Sequence, residues 1–183
     1  MTVNVDISKC SNHFLYEVAK LTDSPDILKE ITEHAINVAN YDDLKPEFDE
    51  EESYLEAVVN NPNVTDEVLL AIIKYPNAPY ARWELLNTIK LNINLIKQFS
   101  KFEKDFSLIN ILIKKHQITS EIADVIANRI INGEIILDEK KVINQDCMTK
   151  KVFKQNIEQL IIQKCTDQTK ENLKEWVSKN FII

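Results

Sequence analysis

The residues best suited to metal chemistry are three cysteines and three histidines, which are sparsely spaced. Cys10 and His13 form a Cys-x-x-His pair, which is half of a zinc site. Zinc sites normally combine two close pairs of ligands, and the chain has no second pair of this kind. Cys147 and Cys165 have no histidine beside them in the sequence. We therefore expect neither a metal ion nor any other cofactor.

A thiol nucleophile with a histidine base is the alternative use of these residues. Cys147 or Cys165 would have to meet His34 or His116 in space, and such an encounter leaves no spacing signal in a sequence. Free cysteines in helical proteins usually act as small buried apolar residues. The sequence therefore favours a protein that is not an enzyme.

The densest group of reactive side chains is acidic and occupies residues 42–52. Seven carboxylates face one lysine, Lys45, so this segment contributes −6 (1 − 7) to a net charge of −7. A calcium loop needs a glycine at its turn and regularly spaced ligands, and this segment has neither. It is either a solvated loop or a surface that attracts a basic protein and speeds its association. The seven carboxylates are Asp42, Asp43, Glu47, Asp49, Glu50, Glu51 and Glu52.

Aromatic residues and one arginine near predicted turns form a second candidate surface. Tyrosine, tryptophan and arginine are the residue types that dominate binding hot spots. Trp83 precedes the apolar pair Leu85–Leu86 by two positions, which turns it partly away from that pair on a helix. The helical phase does not decide whether Trp83 is exposed or buried. The predicted protein-binding residues here are Tyr54, Tyr75, Tyr80, Arg82 and Trp83.

The single glycine, Gly133, excludes phosphate-binding loops. Such loops need glycine because the backbone must turn tightly and approach the phosphate closely. The sequence therefore contains neither a P-loop motif nor a dinucleotide-binding fingerprint. We expect asparagines, which tolerate left-handed backbone, to end helices in place of glycine at Asn60, Asn61, Asn77 and Asn132.

Charge and hydropathy limit the compartment and the partners. The sequence shows neither a signal peptide at its start nor an apolar stretch of roughly 20 residues that would span a membrane. The odd number of cysteines is typical of reduced thiols, which predicts a cytoplasmic protein. Outside residues 42–52 the chain is nearly neutral, which argues against binding to nucleic acid. We expect the partner to be another protein, of basic character.

Three segments in the middle of the chain align at a spacing of 27 positions. Five apolar columns keep this spacing, and such a register indicates a repeated two-helix unit. The columns are Val58–Val59 with Leu85–Leu86 and Leu112–Ile113 (two adjacent columns), Val64 with Leu91 and Ile118, Val68 with Leu95 and Ile122, and Ile72 with Phe99 and Ile126.

The predicted fold is all-α, a short right-handed α-solenoid of stacked antiparallel helix pairs. We expect one domain over residues 1–183. Residues 1–52 form N-terminal cap helices and the acidic loop, residues 53–131 form three repeats, and residues 132–183 form C-terminal cap helices. Hydroxyl and carboxylate residues that favour helix starts predict N-caps at Ser24, Thr65, Asp105 and Thr119.

The turn Asn61-Pro62-Asn63, followed by Thr65-Asp66-Glu67, resembles the leucine-rich-repeat-variant and HEAT-like α-solenoids of bacteria. Units of these families carry an Asn-Pro-Asn turn and then a helix led by threonine. The turn Tyr75-Pro76-Asn77-Ala78-Pro79 is similar in style. The resemblance implies a solenoid fold and a binding role. It transfers no catalytic residue, and the cysteine cluster of one branch of the family is not found here.

These patterns predict a non-catalytic protein-binding module. Its concrete version is an immunity or antitoxin protein that inhibits a basic partner such as a toxic nuclease. One alternative is a HEAT-like enzyme that removes alkylated bases from DNA, although the repeats have no basic stripe to hold DNA. The other is a structural subunit of a larger assembly, which predicts an exposed apolar patch.

Overall fold

The computed structural model describes residues 6–37, 53–75, 77–136 and 150–181, and these ranges contain helices and no strand. The all-α prediction is therefore confirmed. None of the helices in these ranges has the length and apolar character needed to cross a membrane. The helices are α1 Asn12–Leu21, α2 Pro25–Ile36, α3 Tyr54–Asn60, α4 Asp66–Lys74, α5 Pro79–Thr88, α6 Ile93–Phe102, α7 Phe106–Lys115, α8 Ser120–Ile131, α9 Lys150–Asn156 and α10 Asp167–Asn180.

The chain forms two compact units, Met1–Ile89 and Lys90–Ile183. In the first unit α1 packs on α3 and α3 packs on α5, while α2 packs on α4. In the second unit α6 packs on α8 and α8 packs on α10. A π-helical turn at Ile157–Ile161 continues α9 and packs against α7 and α8. Within each unit, a helix thus contacts the helix two places further along the chain.

The helix starts follow the predicted capping residues. The side chains of Ser24, Thr65 and Thr119 each accept a hydrogen bond from the backbone N–H three residues later. Asp105 accepts a bond from the N–H of Ser107 at 2.8 Å. Asn92 caps α6 in the same way as the threonines cap α4 and α8. The N-caps of α4, α6 and α8 therefore stand at positions 65, 92 and 119.

Most of the repeated apolar columns lie in the core. The pairs that begin at Val58, Leu85 and Leu112 are buried throughout, as are the columns that begin at Val68 and Ile72. In the remaining column Leu91 is buried while its two counterparts are partly exposed. Residues of that column precede the second helix of each pair, where the turn meets solvent.

The prediction that asparagines adopt left-handed backbone at helix ends is wrong at Asn61 and Asn132, the two positions whose backbone angles test it. Asn61 leaves α3 in extended backbone (φ −74°, ψ 128°), and Asn132 stays right-handed (φ −79°, ψ −2°). Gly133 takes the left-handed position instead (φ 71°), and its N–H donates to the carbonyl of Ile130. Six helices, α1 and α3 to α7, end in extended backbone. That exit needs no glycine, which explains why so many helix ends coexist with one glycine.

Side chains from other helices and turns satisfy carbonyls at three of these extended ends, those of α1, α4 and α6. The last carbonyls of a helix have no partner within the helix, and a Schellman turn normally supplies one. Here Asn61, Arg82 and Arg129 take over that role. Their partners are the carbonyls of Ala19 and Thr22 for Asn61, of Tyr75 for Arg82, and of Ser100 and Glu103 for Arg129.

Candidate functional site

The predicted acidic surface lies outside the residues that the structure describes. This applies to all seven carboxylates of the segment. They are Asp42, Asp43, Glu47, Asp49, Glu50, Glu51 and Glu52.

Two of the predicted anchors serve the fold instead of the surface. Tyr75 is 6% exposed, and so is Arg82. The guanidinium of Arg82 donates to the Tyr75 carbonyl, where α4 ends in extended backbone. Neither side chain is available to a partner in this structure, because the arginine turns inward to satisfy a helix end. Their proposed role as exposed anchors is therefore corrected.

Tyr54 is likewise a core residue and no surface anchor. It is fully buried at the first position of α3, and its ring stacks against His34 with centroids 6.4 Å apart. Its hydroxyl has no hydrogen-bond partner among the described residues. Burial, with a smaller contribution from Tyr75, raises the pKa of this phenol. The hydroxyl stays protonated at neutral pH and pays a desolvation cost without a compensating bond.

Replacing Tyr54 with phenylalanine should leave the free energy of unfolding unchanged or raise it by up to about 1 kcal/mol. The ring and its packing are retained, and only the unpartnered hydroxyl is removed. Urea unfolding followed by circular dichroism measures the change. Tyr16→Phe, in α1, serves as a control at a second buried tyrosine, whose ring lies 5.4 Å from Lys20 Nζ. A clear loss of stability in Tyr54→Phe would show that the hydroxyl has a partner.

The other two predicted anchors remain on the surface. Tyr80 is 46% exposed in the first turn of α5, and Trp83 is partly exposed one turn later. Residues three apart on a helix are neighbours, so the two rings belong to one face. The main-chain carbonyl of Trp83 accepts a bond from the side chain of Asn87 at 2.7 Å, which ties the helix locally. This face is the part of the predicted surface that the structure leaves accessible.

The Cys10–His13 pair lies at the start of the first unit. The thiol of Cys10 donates to the carbonyl of Asp6 at 3.5 Å, and His13 is exposed on α1. In the described ranges no group of three cysteine, histidine or carboxylate side chains is placed to hold a metal ion.

Cys165 is buried beside a carboxylate. Burial and the neighbouring Asp124 raise the pKa of its thiol to about 12. The Asp124 carboxylate also accepts bonds from the N–H and the hydroxyl of Thr166, at 2.9 and 2.7 Å, and so links α8 to the start of α10. A thiol held in its neutral form is a poor nucleophile. The geometry therefore points to a structural role for this cysteine.

Iodoacetamide at pH 8 should alkylate Cys165 roughly a thousandfold more slowly than a free cysteine. Partly exposed Cys10 is the internal control, and peptide mass spectrometry separates the two sites. Because the folded thiol keeps its proton to about pH 12 while the unfolded thiol loses it near 9, stability should fall as pH rises between these values. Equal labelling of both cysteines in the native protein would contradict this prediction.

An open groove of about 470 Å³ lies in the second unit. Two large apolar side chains line it, Phe102 at the end of α6 and Ile136 after α8, and they are 43% and 47% exposed. Lys101 and Lys104 are exposed along the same groove. The remaining lining residues are Arg129, Gly133 and Glu134. The groove thus combines exposed apolar surface with positive charge.

Two backbone hydrogen bonds and the side chain of Arg129 hold the walls of this groove together. The N–H of Ile136 donates to the Lys104 carbonyl at 2.7 Å, and the N–H of Phe106 donates to the Ile136 carbonyl at 3.4 Å. Arg129 joins the end of α6 to Glu134, whose carboxylate accepts a bond from its Nε at 3.1 Å. The groove is therefore a feature of the folded backbone and not only of flexible side chains.

An exposed apolar pair lies on α1 of the first unit. Phe14 is 46% exposed and Leu21 is 73% exposed, seven positions apart and hence on one helical face. The same helix buries Leu15 and Ala19 against the core. Phe14 and Leu21 therefore lie beside the face of α1 that packs on the core, and not on that face.

Sequence reasoning did not find the groove of the second unit. Its residues come from α6, from the end of α8 and from the segment after it, and helical periodicity treats Phe102 as a continuation of the core face of Leu95 and Phe99. The one local signal is the placement of Lys101 and Lys104 around Phe102.

Comparison with protein-family models, with curated proteins and with solved structures yields no match to this chain.

Proposed function

We propose that this protein is a non-catalytic protein-binding module, built as a short right-handed α-solenoid of stacked helix pairs. Two features support the architecture. Within each unit, helices contact the helix two places along the chain, and three N-caps recur at positions 65, 92 and 119. Solenoids expose extended surfaces that are commonly used for binding.

The observation that carries the function is the concentration of charge. Residues 42–52 hold −6 of the −7 net charge, and the rest of the chain is close to neutral. A single dense acidic segment steers a basic partner towards itself and raises the association rate. The concrete version of this proposal is an immunity or antitoxin protein that inhibits a basic protein.

Tyr80 and Trp83 are the anchors that we assign to this interface. Both lie on the accessible face of α5, and both belong to the residue types that carry most binding energy. Electrostatic steering supplies rate and specificity, whereas buried aromatic anchors supply most of the affinity. We therefore expect the acidic charges to affect mainly the association rate and the aromatic anchors to affect mainly the dissociation rate.

The first experiment is an affinity pulldown with the full chain from its native lysate, at low and at high salt. One stoichiometric basic protein that leaves at high salt supports the proposal. Retained DNA in place of a protein would favour the DNA-repair alternative, which a shift assay with damaged duplex then tests. An empty pulldown at low salt counts against the proposal.

Stopped-flow association with the captured protein then tests the two roles. Replacing Asp49, Glu50, Glu51 and Glu52 with serine should slow association by about tenfold at low salt and flatten its salt dependence. Replacing Trp83 with alanine should act mainly on dissociation.

The matched control removes four exposed carboxylates elsewhere. Replacing Glu30, Glu33, Glu158 and Glu175 with glutamine changes the net charge by the same amount. If this control slows association as much as the serine variant, net charge explains the effect. A serine variant that leaves both rate and salt dependence unchanged rules out a role for the acidic segment.

A structural subunit of a larger assembly is the second candidate, and the exposed pair Phe14 and Leu21 favours it. Two large apolar side chains on one helical face are typical of a contact between proteins. Replacing both with serine should abolish any concentration-dependent self-association seen by sedimentation. A chain that stays monomeric at all concentrations, with or without the substitutions, argues against self-assembly through this face.

A further inference from the structure

We propose that the groove formed by Lys101, Phe102, Lys104 and Ile136 binds an acidic peptide segment that carries a large apolar side chain. This goes beyond the interface proposed above, because it lies in the second unit and has the opposite charge. The protein would then recognise two chemically different partners.

The apolar part of the argument rests on Phe102 and Ile136. Both side chains are close to half exposed, although they line a concave surface. A large apolar residue of a partner that enters the groove would remove both from water. Burial of such a side chain is enough to anchor one position of a peptide.

The electrostatic part rests on Lys101 and Lys104. Both are exposed. Neither forms an ion pair with another described residue, because the ion pairs among those residues involve other side chains. Two acidic groups next to these lysines in the described chain are already engaged. Glu103 accepts bonds from the backbone N–H groups of Lys104 and Asp105, and Asp105 accepts bonds from Ser107. Within the part of the chain that the structure describes, both lysines are thus available to carboxylates of a partner.

The third lining cation, Arg129, has a different role. Its guanidinium donates to the carbonyls of Ser100 and Glu103 at 2.6 and 2.7 Å and to Glu134 at 3.1 Å. It therefore fixes the spacing between the end of α6 and the segment after α8. Arg129 positions the groove walls, while Lys101 and Lys104 supply the charge for recognition.

A peptide suits this groove better than a nucleic acid does. The groove is open, carries two lysines that form no ion pair with the described residues, and includes Glu134 in its lining. A phosphate backbone would need a longer basic track, and the whole chain is acidic, with a net charge of −7. Short acidic segments with one apolar side chain match both the charge and the exposed surface.

Selection from a random peptide library displayed on phage, with the full chain immobilised, tests the proposal. Enriched peptides should carry net negative charge and at least one large aliphatic or aromatic residue. Their affinity, measured by fluorescence anisotropy with the synthetic peptide, should fall about tenfold in K101E/K104E. Phe102→Ser should weaken the same peptide to a similar degree.

The control variant is K90E/K114E, which changes the charge equally at two exposed lysines of the same unit that lie outside the groove lining. Circular dichroism establishes that all variants are folded. The proposal is overturned if no peptide is enriched, if the enriched peptides are basic, or if K90E/K114E weakens binding as much as K101E/K104E. Binding of a single-stranded oligonucleotide, or of a second copy of this chain, is tested with the same variants. The proposal is also overturned if K101E/K104E abolishes that binding but does not weaken the binding of the peptides.

Discussion

Replacing Arg129 with methionine should lower the free energy of unfolding by about 3 kcal/mol. Arg129 is 8% exposed, and its guanidinium donates to two carbonyls at the end of α6 and to Glu134. Methionine keeps much of the side-chain volume but removes the donors that Arg129 supplies to the carbonyls of Ser100 and Glu103. Helix α6 ends in extended backbone, so no Schellman turn replaces the lost donors. Buried carbonyls that lose their donor carry the full desolvation cost.

Tryptophan fluorescence gives a local measurement of this loss. The chain has two tryptophans, Trp83 in the first unit and Trp176 in the second. In a Trp83→Phe background, urea unfolding reports on the unit that contains Arg129. Glu134→Gln is the matched control, because it weakens only the half-exposed ion pair and should cost less than about 1 kcal/mol. Equal losses in the two variants would mean that the ion pair, and not the helix end, is what matters.

Replacing Asn61 with alanine should cost about 3 kcal/mol as well. Asn61 is 3% exposed, and its side-chain amide donates to the carbonyls of Ala19 and Thr22 at 2.7 and 2.9 Å. Its oxygen accepts from the N–H of Asn63 at 2.8 Å. One asparagine therefore closes its own turn and satisfies the end of α1. Alanine removes all three bonds and leaves buried backbone groups unsatisfied.

Asn61→Asp is the sharper variant. A carboxylate of the same shape would face two carbonyl oxygens, so it should be at least as destabilising at pH 7 as alanine. Its protonation at low pH restores one donor, and the loss relative to the original chain should shrink as the pH falls. Asn63→Ala is the control in the same turn, because among the described residues the side chain of Asn63 contacts only Asp23, at 3.4 Å and exposed. Unfolding in a Trp176→Phe background reports on this unit, and a mild effect of both Asn61 variants would refute the capping role.

The contribution of Asn61 gives a physical reason for the Asn-Pro-Asn turn. In the sequence this turn is only a resemblance to a repeat style. In the structure the first asparagine makes a contact across 42 positions of the chain, to Ala19. No local pattern contains that contact, because it depends on α1 packing on α3.

Local chemistry was enough to predict the helices and their starts. The N-caps at Ser24, Thr65, Asp105 and Thr119 depend on bonds within a few residues, which is why they could be predicted from the sequence. The buried columns at Val68, Leu95 and Ile122 follow from helical periodicity and its repetition.

Tertiary packing decided which polar and aromatic residues face solvent. Tyr54 and Arg82 belong to residue types that are found both at interfaces and in cores, and only the contacts of α3 and α5 with their neighbours place them inside. Phe102 follows the periodicity of a core residue, yet it is exposed where α6 ends and the groove opens. The sequence by itself therefore determined the helices, their starts and most of the core, since these depend on near neighbours. The helix-end caps, the exposed anchors and the groove depend on contacts between distant segments, and only the tertiary structure decided them.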